Sequence, residues 1–218
     1  MDIIVTGERQ RWEAFRDARS TGSHHVLYEP ELQPLKGGAD LVIDLSLDER
    51  PENLLVYALQ PNLPVLGCLV KTPSAAWENY TSLYACNWLP GFIGMPRLEV
   101  GLSQNADSEK LKAVMEELGW EYDTVKASAG LVTPRTIAMI INEAYFTAEE
   151  GTASREDIDI SMKLGTNYPF GPFEWCSRIG IRNVCEVLRA VHTETGNERY
   201  RICAALEKEY NAFIQQLD

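Results

Sequence analysis

The sequence predicts an α/β domain followed by an all-α domain. Through residue 100, short apolar runs of strand length alternate with polar or helical segments, the pattern of a parallel sheet with crossovers. Beyond residue 130 the period changes to that of amphipathic helices bounded by caps and glycines. The small, flexible stretch Lys126–Gly130 separates the two patterns, which gives domains at 1–127 and 128–218.

In chain order, Ile3–Thr6 is a continuous apolar run and predicts a buried strand. Glu8–Ala18 predicts a helix with Trp12 and Phe15 on one face. His25–Tyr28 and Ala39–Leu45 predict the second and third strands, Asn53–Ala58 a short helix, and Val65–Val70 and Tyr84–Leu89 two further strands. Ser108–Leu118 has a cap at Asp107 or Ser108, Leu111, Val114, Met115 and Leu118 at helical spacing, and Gly119 as a stop. Trp120–Val125 reads as the last strand. Next, Thr133 is an expected N-cap and Pro134 suits the first helical position. Ile137, Ile140, Ile141, Ala144, Tyr145 and Ala148 make an apolar stripe that Gly151 closes. Ser154 and Asp157 form a capping-box variant opening a helix with Ile158, Met162 and Leu164 inward and Gly165 as its stop. A stiff Pro/Gly turn at 169–172 and two helices, Ile181–Val191 and Ile202–Leu217, complete the chain.

The 218 residues carry a formal net charge of −12. That excludes a nucleic-acid binder, which needs a basic stripe. Arg9, Arg11, Arg16 and Arg19 do cluster, and are expected to form a solvated helix face pairing with Glu8, Glu13 and Asp17. Five cysteines without framework spacing suggest reduced thiols and a cytoplasmic protein, and no metal-ligand pattern is present. The N-terminus does not read as a signal peptide, and no apolar run of about 18 residues predicts a membrane span.

One stretch is far more specific. Asn142-Glu143-Ala144, Glu150-Gly151-x-Ala153-Ser154, Glu156-Asp157-Ile158-Asp159, Met162-Lys163-Leu164-Gly165 and Tyr168-Pro169-Phe170-Gly171-Pro172-Phe173-Glu174 fall in one register. Together they resemble the C-terminal domain of the 3-hydroxyacyl-CoA dehydrogenases, over about residues 129 to 210. The resemblance implies a reduced Rossmann-like domain followed by a helical bundle like the C-terminal domain of 6-phosphogluconate dehydrogenase. It also implies NAD-linked oxidation of 3-hydroxyacyl-CoA in fatty-acid metabolism, an acyl-CoA ligand, and a homodimer through the C-terminal helices. Most of the signature reads physically as architecture: helix stops, caps and a stiffened turn.

The chemistry that accompanies this signature is incomplete. A dinucleotide cradle uses G-x-G-x-x-G after the first strand, so that the backbone can approach a pyrophosphate. Here the run is Gly7-Glu8-Arg9-Gln10-Arg11-Trp12, with one glycine of three. Gly7, Arg9 and Glu29 are the candidate cofactor-binding residues, Glu29 standing at the second strand's end where the family has its ribose-binding acid. An arginine-based cradle of Arg9 and Arg11 is a second possibility. The family's catalytic histidine lies in a His-Phe-Phe-Asn-Pro segment, with its glutamate partner twelve residues later. The matching positions are Asn87, in Asn87-Trp88-Leu89-Pro90-Gly91, and Glu99. Those two are the candidate catalytic residues, although asparagine cannot accept a proton at neutral pH. The family's further asparagine falls on Pro134, and its serine region falls near Val65–Thr72. The connection Glu29–Gly38 is too short for the helical hairpin that helps the family hold acyl-CoA. The expectation is a divergent or inactive relative, the alternative being a non-catalytic, homodimeric binding or assembly module. By these residues alone no cofactor is required; NAD follows from the resemblance.

Overall fold

The computed structural model describes residues 1–33 and 38–216. The chain divides into two compact units, Met1–Leu131 and Val132–Asp218.

The first unit is built on β1 (Asp2–Thr6), α1 (Arg9–Ala18), β2 (His25–Glu29), β3 (Leu41–Asp44), α2 (Asn53–Ala58), β4 (Val65–Cys68), β5 (Leu83–Cys86), β6 (Leu98–Leu102), α3 (Ser108–Leu118) and β7 (Tyr122–Lys126). The sheet order is β2-β1-β3-β4-β5-β6-β7, and every neighbouring pair is parallel except β5 with β6. β3, β4 and β5 are buried at every residue, as strands covered on both faces must be. β6 was not expected from the sequence. Its Leu-Glu-Val-Gly-Leu run is short and lies in a stretch read only for its carboxylate. Gly101 is required there, because a Cβ would stand 2.7 Å from Leu131 Cδ2 and 3.2 Å from Ala85 Cβ.

In the doubly wound order 3-2-1-4-5-6 a further strand lies outside the second one. This sheet has β2 at its edge, and its β3 lies directly beside β1. The short connection after Glu29 therefore goes with the loss of a whole strand, not only of a hairpin. Residues 34–37 of that connection lie outside the described residues.

The arginine-rich helix α1 departs from its expected form. Phe15 and Arg11 are its buried residues, and Trp12 is half-buried. Arg9 with Glu13 and Arg16 with Asp17 do pair at the surface. Arg19 instead donates to the carbonyls of Ile93 (3.0 Å) and Met95 (2.8 Å), with its guanidinium over the rings of Trp88 and Trp120. Phe15 packs edge-on to both tryptophans, which ties α1 to the segments after β5 and after α3.

The second unit comprises α4 (Thr133–Glu149), α5 (Arg155–Thr166), α6 (Pro172–Ile179), α7 (Ile181–Thr195) and α8 (Ala204–Ile214). Its signature residues are structural. Asn142 is buried and bridges the chain ahead of α8, donating to the Arg201 carbonyl (2.9 Å) and accepting from the Cys203 amide (2.8 Å). Ser154 caps α5 through the Asp157 amide. Asp159 accepts the first free amides of α6, from Phe173 (2.8 Å) and Glu174 (3.2 Å).

Several boundaries differ from expectation. Val132, not Thr133, is the N-cap of α4, and Thr133 is already helical. Gly165 does not stop α5, which runs one residue further and ends on Asn167 in the left-handed region. Leu164 points outward, 82% exposed. The Pro/Gly turn opens a helix, α6, with Gly171 as N-cap and Pro172 as its first residue. The final helix stops at Ile214, and Leu217 lies outside the described residues.

Candidate active site and cofactor cleft

In the α/β unit the tip of β1 leads through Gly7 into α1, the place where a doubly wound sheet holds a diphosphate. Gly7 has φ +127°, and a Cβ there would meet Ser46 Oγ at 2.8 Å and Ser46 Cβ at 3.1 Å. The bare face of the glycine is thus used, but by a side chain of the same chain. Ser46 Oγ also accepts the Glu8 amide at 3.0 Å, consuming a free N–H at the mouth of α1. Ser46 is held in turn by Asp44, which accepts its amide at 3.1 Å. Asp44 is buried at the end of β3 and accepts further bonds from Asn53 Nδ2 (2.9 Å) and the Tyr57 hydroxyl (2.7 Å). Burial raises its pKa against those three bonds.

The second and third glycine positions carry Arg9 and Trp12. Trp12 stacks on Tyr28 of β2 with ring centroids 4.9 Å apart and planes 6° from parallel, and the Tyr28 hydroxyl donates to the Gly7 carbonyl at 3.0 Å. Arg9 lies at the surface, paired with Glu13 at 2.9 Å. Arg11 is instead buried against the Leu45 carbonyl and Glu49, so the two arginines do not form a cradle. Glu29 sits opposite Thr6 in the β1–β2 register, at the strand end expected for it. These residues do not fit a dinucleotide diphosphate: the helix mouth holds Ser46, and two large side chains stand where close backbone approach is needed.

The other two candidates are brought together. The antiparallel pairing of Cys86 with Val100 continues to Asn87 and Glu99, and the Asn87 amide donates to the Glu99 carbonyl at 3.3 Å. Twelve positions apart in sequence, they are cross-strand neighbours. Asn87 is buried and its Oδ1 accepts from the Leu89 amide at 3.4 Å, an Asx-type turn leading into the buried Trp88. Glu99 is half-buried.

Sequence reading missed a buried ionic cluster at the carboxyl ends of β3 and β4. Arg11, 3% exposed, donates to the Leu45 carbonyl (2.7 Å) and to Glu49 Oε1. Lys71 Nζ reaches the same oxygen at 2.6 Å. Asp48 accepts from the amides of Val70 (2.8 Å) and Lys71 (2.9 Å) and from the Thr72 hydroxyl (2.7 Å). An arginine on a polar helix and two acids after a strand look like surface residues in sequence; only their convergence on Lys71 marks them as core. The signal available was Val65–Thr72 itself, already noted as a site neighbourhood.

Burial pushes the Asp48 carboxyl up to about 6, against the bonds from Thr72 and Lys71 that hold it down. A carboxyl raised in the folded state gives stability that is full below its unfolded value of 3.8 and is lost as pH rises through about 6. The Asp48→Asn variant therefore gains on the parent between pH 4 and pH 7, by on the order of 3 kcal/mol for a shift of about two pKa units. Thermal melts of both proteins at the two pH values check this; parallel displacement with pH is the contrary result.

The sequence profile described as "3-hydroxyacyl-CoA dehydrogenase, C-terminal domain" matches residues 130–213. The 3-hydroxybutyryl-CoA dehydrogenase of Bradyrhizobium diazoefficiens is 30% identical over 216 residues, covering 90% of this chain and 71% of that protein. The chain belongs to the 3-hydroxyacyl-CoA dehydrogenase family. Within this family, the 3-hydroxyadipyl-CoA dehydrogenase of Escherichia coli is 38% identical over 106 residues, 48% of this chain but 22% of that protein. A probable 3-hydroxybutyryl-CoA dehydrogenase of Bacillus subtilis is 35% identical over 100 residues, 35% of its length. The chain thus spans about a third or less of these last two relatives. Among solved structures, the (S)-3-hydroxybutyryl-CoA dehydrogenase of Ralstonia eutropha shares the fold with TM-score 0.72 at 20% identity, over 97% of this chain and 93% of that one. The family fold is kept in both units. Among the described residues, no helix is long and apolar enough to cross a membrane.

Proposed function

We propose that this member of the 3-hydroxyacyl-CoA dehydrogenase family has given up NAD-linked hydride transfer and acts as a non-catalytic, homodimeric binding or assembly module. One observation carries the reading: the bare face of Gly7 and the Glu8 amide, which a diphosphate would need, are occupied by Ser46. Without a seated dinucleotide there is no hydride acceptor. Asn87 adds to this, because an amide beside Glu99 cannot take the proton of a substrate hydroxyl. The dimer is drawn from the family's helical contact and from α5, which exposes Ile160 and Leu164 one turn apart.

The test is a pair of assays on the full chain. Absorbance at 340 nm is followed with NADH and acetoacetyl-CoA, and with NAD and 3-hydroxybutyryl-CoA. A flat trace is expected, with no thermal shift from NAD or NADP; a dinucleotide at about a hundred times its Kd would stabilise by about 2.7 kcal/mol. Saturable turnover that Glu99→Gln abolishes would establish the rival reading, an active 3-hydroxyacyl-CoA dehydrogenase. A shift with coenzyme A or acetoacetyl-CoA alone would identify an acyl-CoA-binding module.

A further inference from the structure

We infer that the outer edge of β2 pairs with the β2 of a second copy of this chain. The contact is independent of the α5 surface and of the question of catalysis.

The His25 amide donates to the Met1 carbonyl at 3.1 Å, which fixes the phase of the strand. His25, Leu27 and Glu29 turn their backbone groups toward β1, and Val26 and Tyr28 turn theirs outward. β2 is the terminal strand of the sheet, and no backbone bond to the outward groups occurs among the described residues. The usual protections of an open edge are missing within β2: it has no proline, no lysine and no bulge. Leu27 stands at its centre, 48% exposed.

The strand is complementary to itself. An antiparallel pair with its two-fold axis at Leu27 sets His25 opposite Glu29 of the second copy, Val26 opposite Tyr28, and Leu27 opposite Leu27. The His25–Glu29 contact occurs twice by symmetry, each His25 keeping its Nδ1 at 3.1 Å from Asp2 Oδ1 of its own chain. The backbone phase agrees with this register. Val26 and Tyr28, whose groups face outward, become the hydrogen-bonded pairs, and Leu27 becomes the non-hydrogen-bonded pair, the closer of the two kinds. The Tyr28 ring stays on Trp12 throughout, because only its backbone is used. A parallel arrangement, or a partner of other sequence, would not bring Leu27 onto itself. Paired strands of five residues bury less than the roughly 1,000 Å² of a stable interface, so covalent trapping is the suitable readout.

Leu27→Cys provides it. The Cα atoms of a non-hydrogen-bonded pair lie about 4.5 Å apart, within the range of about 4.4–6.8 Å that a disulfide spans. All five native cysteines are buried, so the new thiol reacts alone. Leu59→Cys, at a residue 81% exposed outside this strand, reports random collision. Under mild oxidation Leu27→Cys is expected to run to a covalent dimer on a non-reducing gel while Leu59→Cys stays monomeric. Val26→Pro in the Leu27→Cys background should abolish the dimer, since it removes an outward donor without breaking a bond to β1. Should that variant fail to fold, Glu29→Lys, which sets a lysine against His25, should lower the yield. Crosslinking of Leu27→Cys no faster than of Leu59→Cys overturns the proposal, as does a dimer that survives folded Val26→Pro, or a yield that Glu29→Lys leaves undiminished. The bundle dimer, measured by light scattering on the reduced protein, is unaffected by either result.

Discussion

Glu49→Ala is expected to destabilise the α/β unit by about 3–5 kcal/mol, the cost of leaving buried charge without its partner. Glu49 Oε1 is the shared acceptor of Arg11 and Lys71, whose side chains are 4% and 6% exposed. With the carboxylate gone, Arg11 keeps the exposed Glu8 Oε2 at 3.6 Å, but both cations lose their shared buried acceptor. At about 2–4 °C per kcal/mol, the melting temperature falls by on the order of 10 °C. Glu49→Gln should cost less, because its carbonyl oxygen keeps a contact and its amide nitrogen occupies the place of Oε2, which has no hydrogen-bond partner. Added salt should rescue neither. Glu13→Ala, which breaks only the exposed pair with Arg9, serves as the control and should leave the melt unchanged. A Glu49→Ala melt as close to the parent's as the control's would refute the buried-charge account.

Gly171→Ala is expected to destabilise the helical unit by about 2–4 kcal/mol, combining overpacking with the loss of a cap. A Cβ at this N-cap would overlap the carboxylate of Asp159. That carboxylate holds the amides of Phe173 and Glu174 and cannot retreat without releasing the first turn of α6. The pair must therefore be coupled: Asp159→Ala makes room, so the double variant should cost less than the sum of the single changes. Circular dichroism melts of the four proteins measure this. Additive effects would show that the cost of Gly171→Ala does not arise from the Asp159 contact.

The strands and helices with clean periodicity were legible because burial of one face leaves a pattern. Ile3–Thr6, Asn53–Ala58 and the apolar stripe of α4 are read directly from residue type. Elements set by single caps were legible where a side chain made the bond, as at Ser154 and Asp107. They were misread where backbone geometry decided: Gly165 can stop a helix, but Asn167, in the left-handed region, does so. β6 escaped because a five-residue strand with a glycine and a glutamate carries almost no periodic signal. The Asn87–Glu99 juxtaposition followed from family spacing, and the antiparallel β5–β6 register supplied its physical cause.

What the chain determined by itself was its family, its two-part organisation and the absence of a G-x-G-x-x-G run after the first strand, since those are properties of residue identity at fixed spacing. Tertiary structure alone decided what fills the places left. Ser46 lies 38 residues beyond Glu8, yet it docks on Gly7 and takes the Glu8 amide. Arg11 and Arg9 are two positions apart on one helix, yet one is buried against Glu49 and the other is in solvent. The physical reason is the same in both cases. A charge or a hydroxyl is neutral in sequence about whether it meets water or protein, and only the long-range packing of β3 and β4 against α1 supplies the partner that makes burial stable.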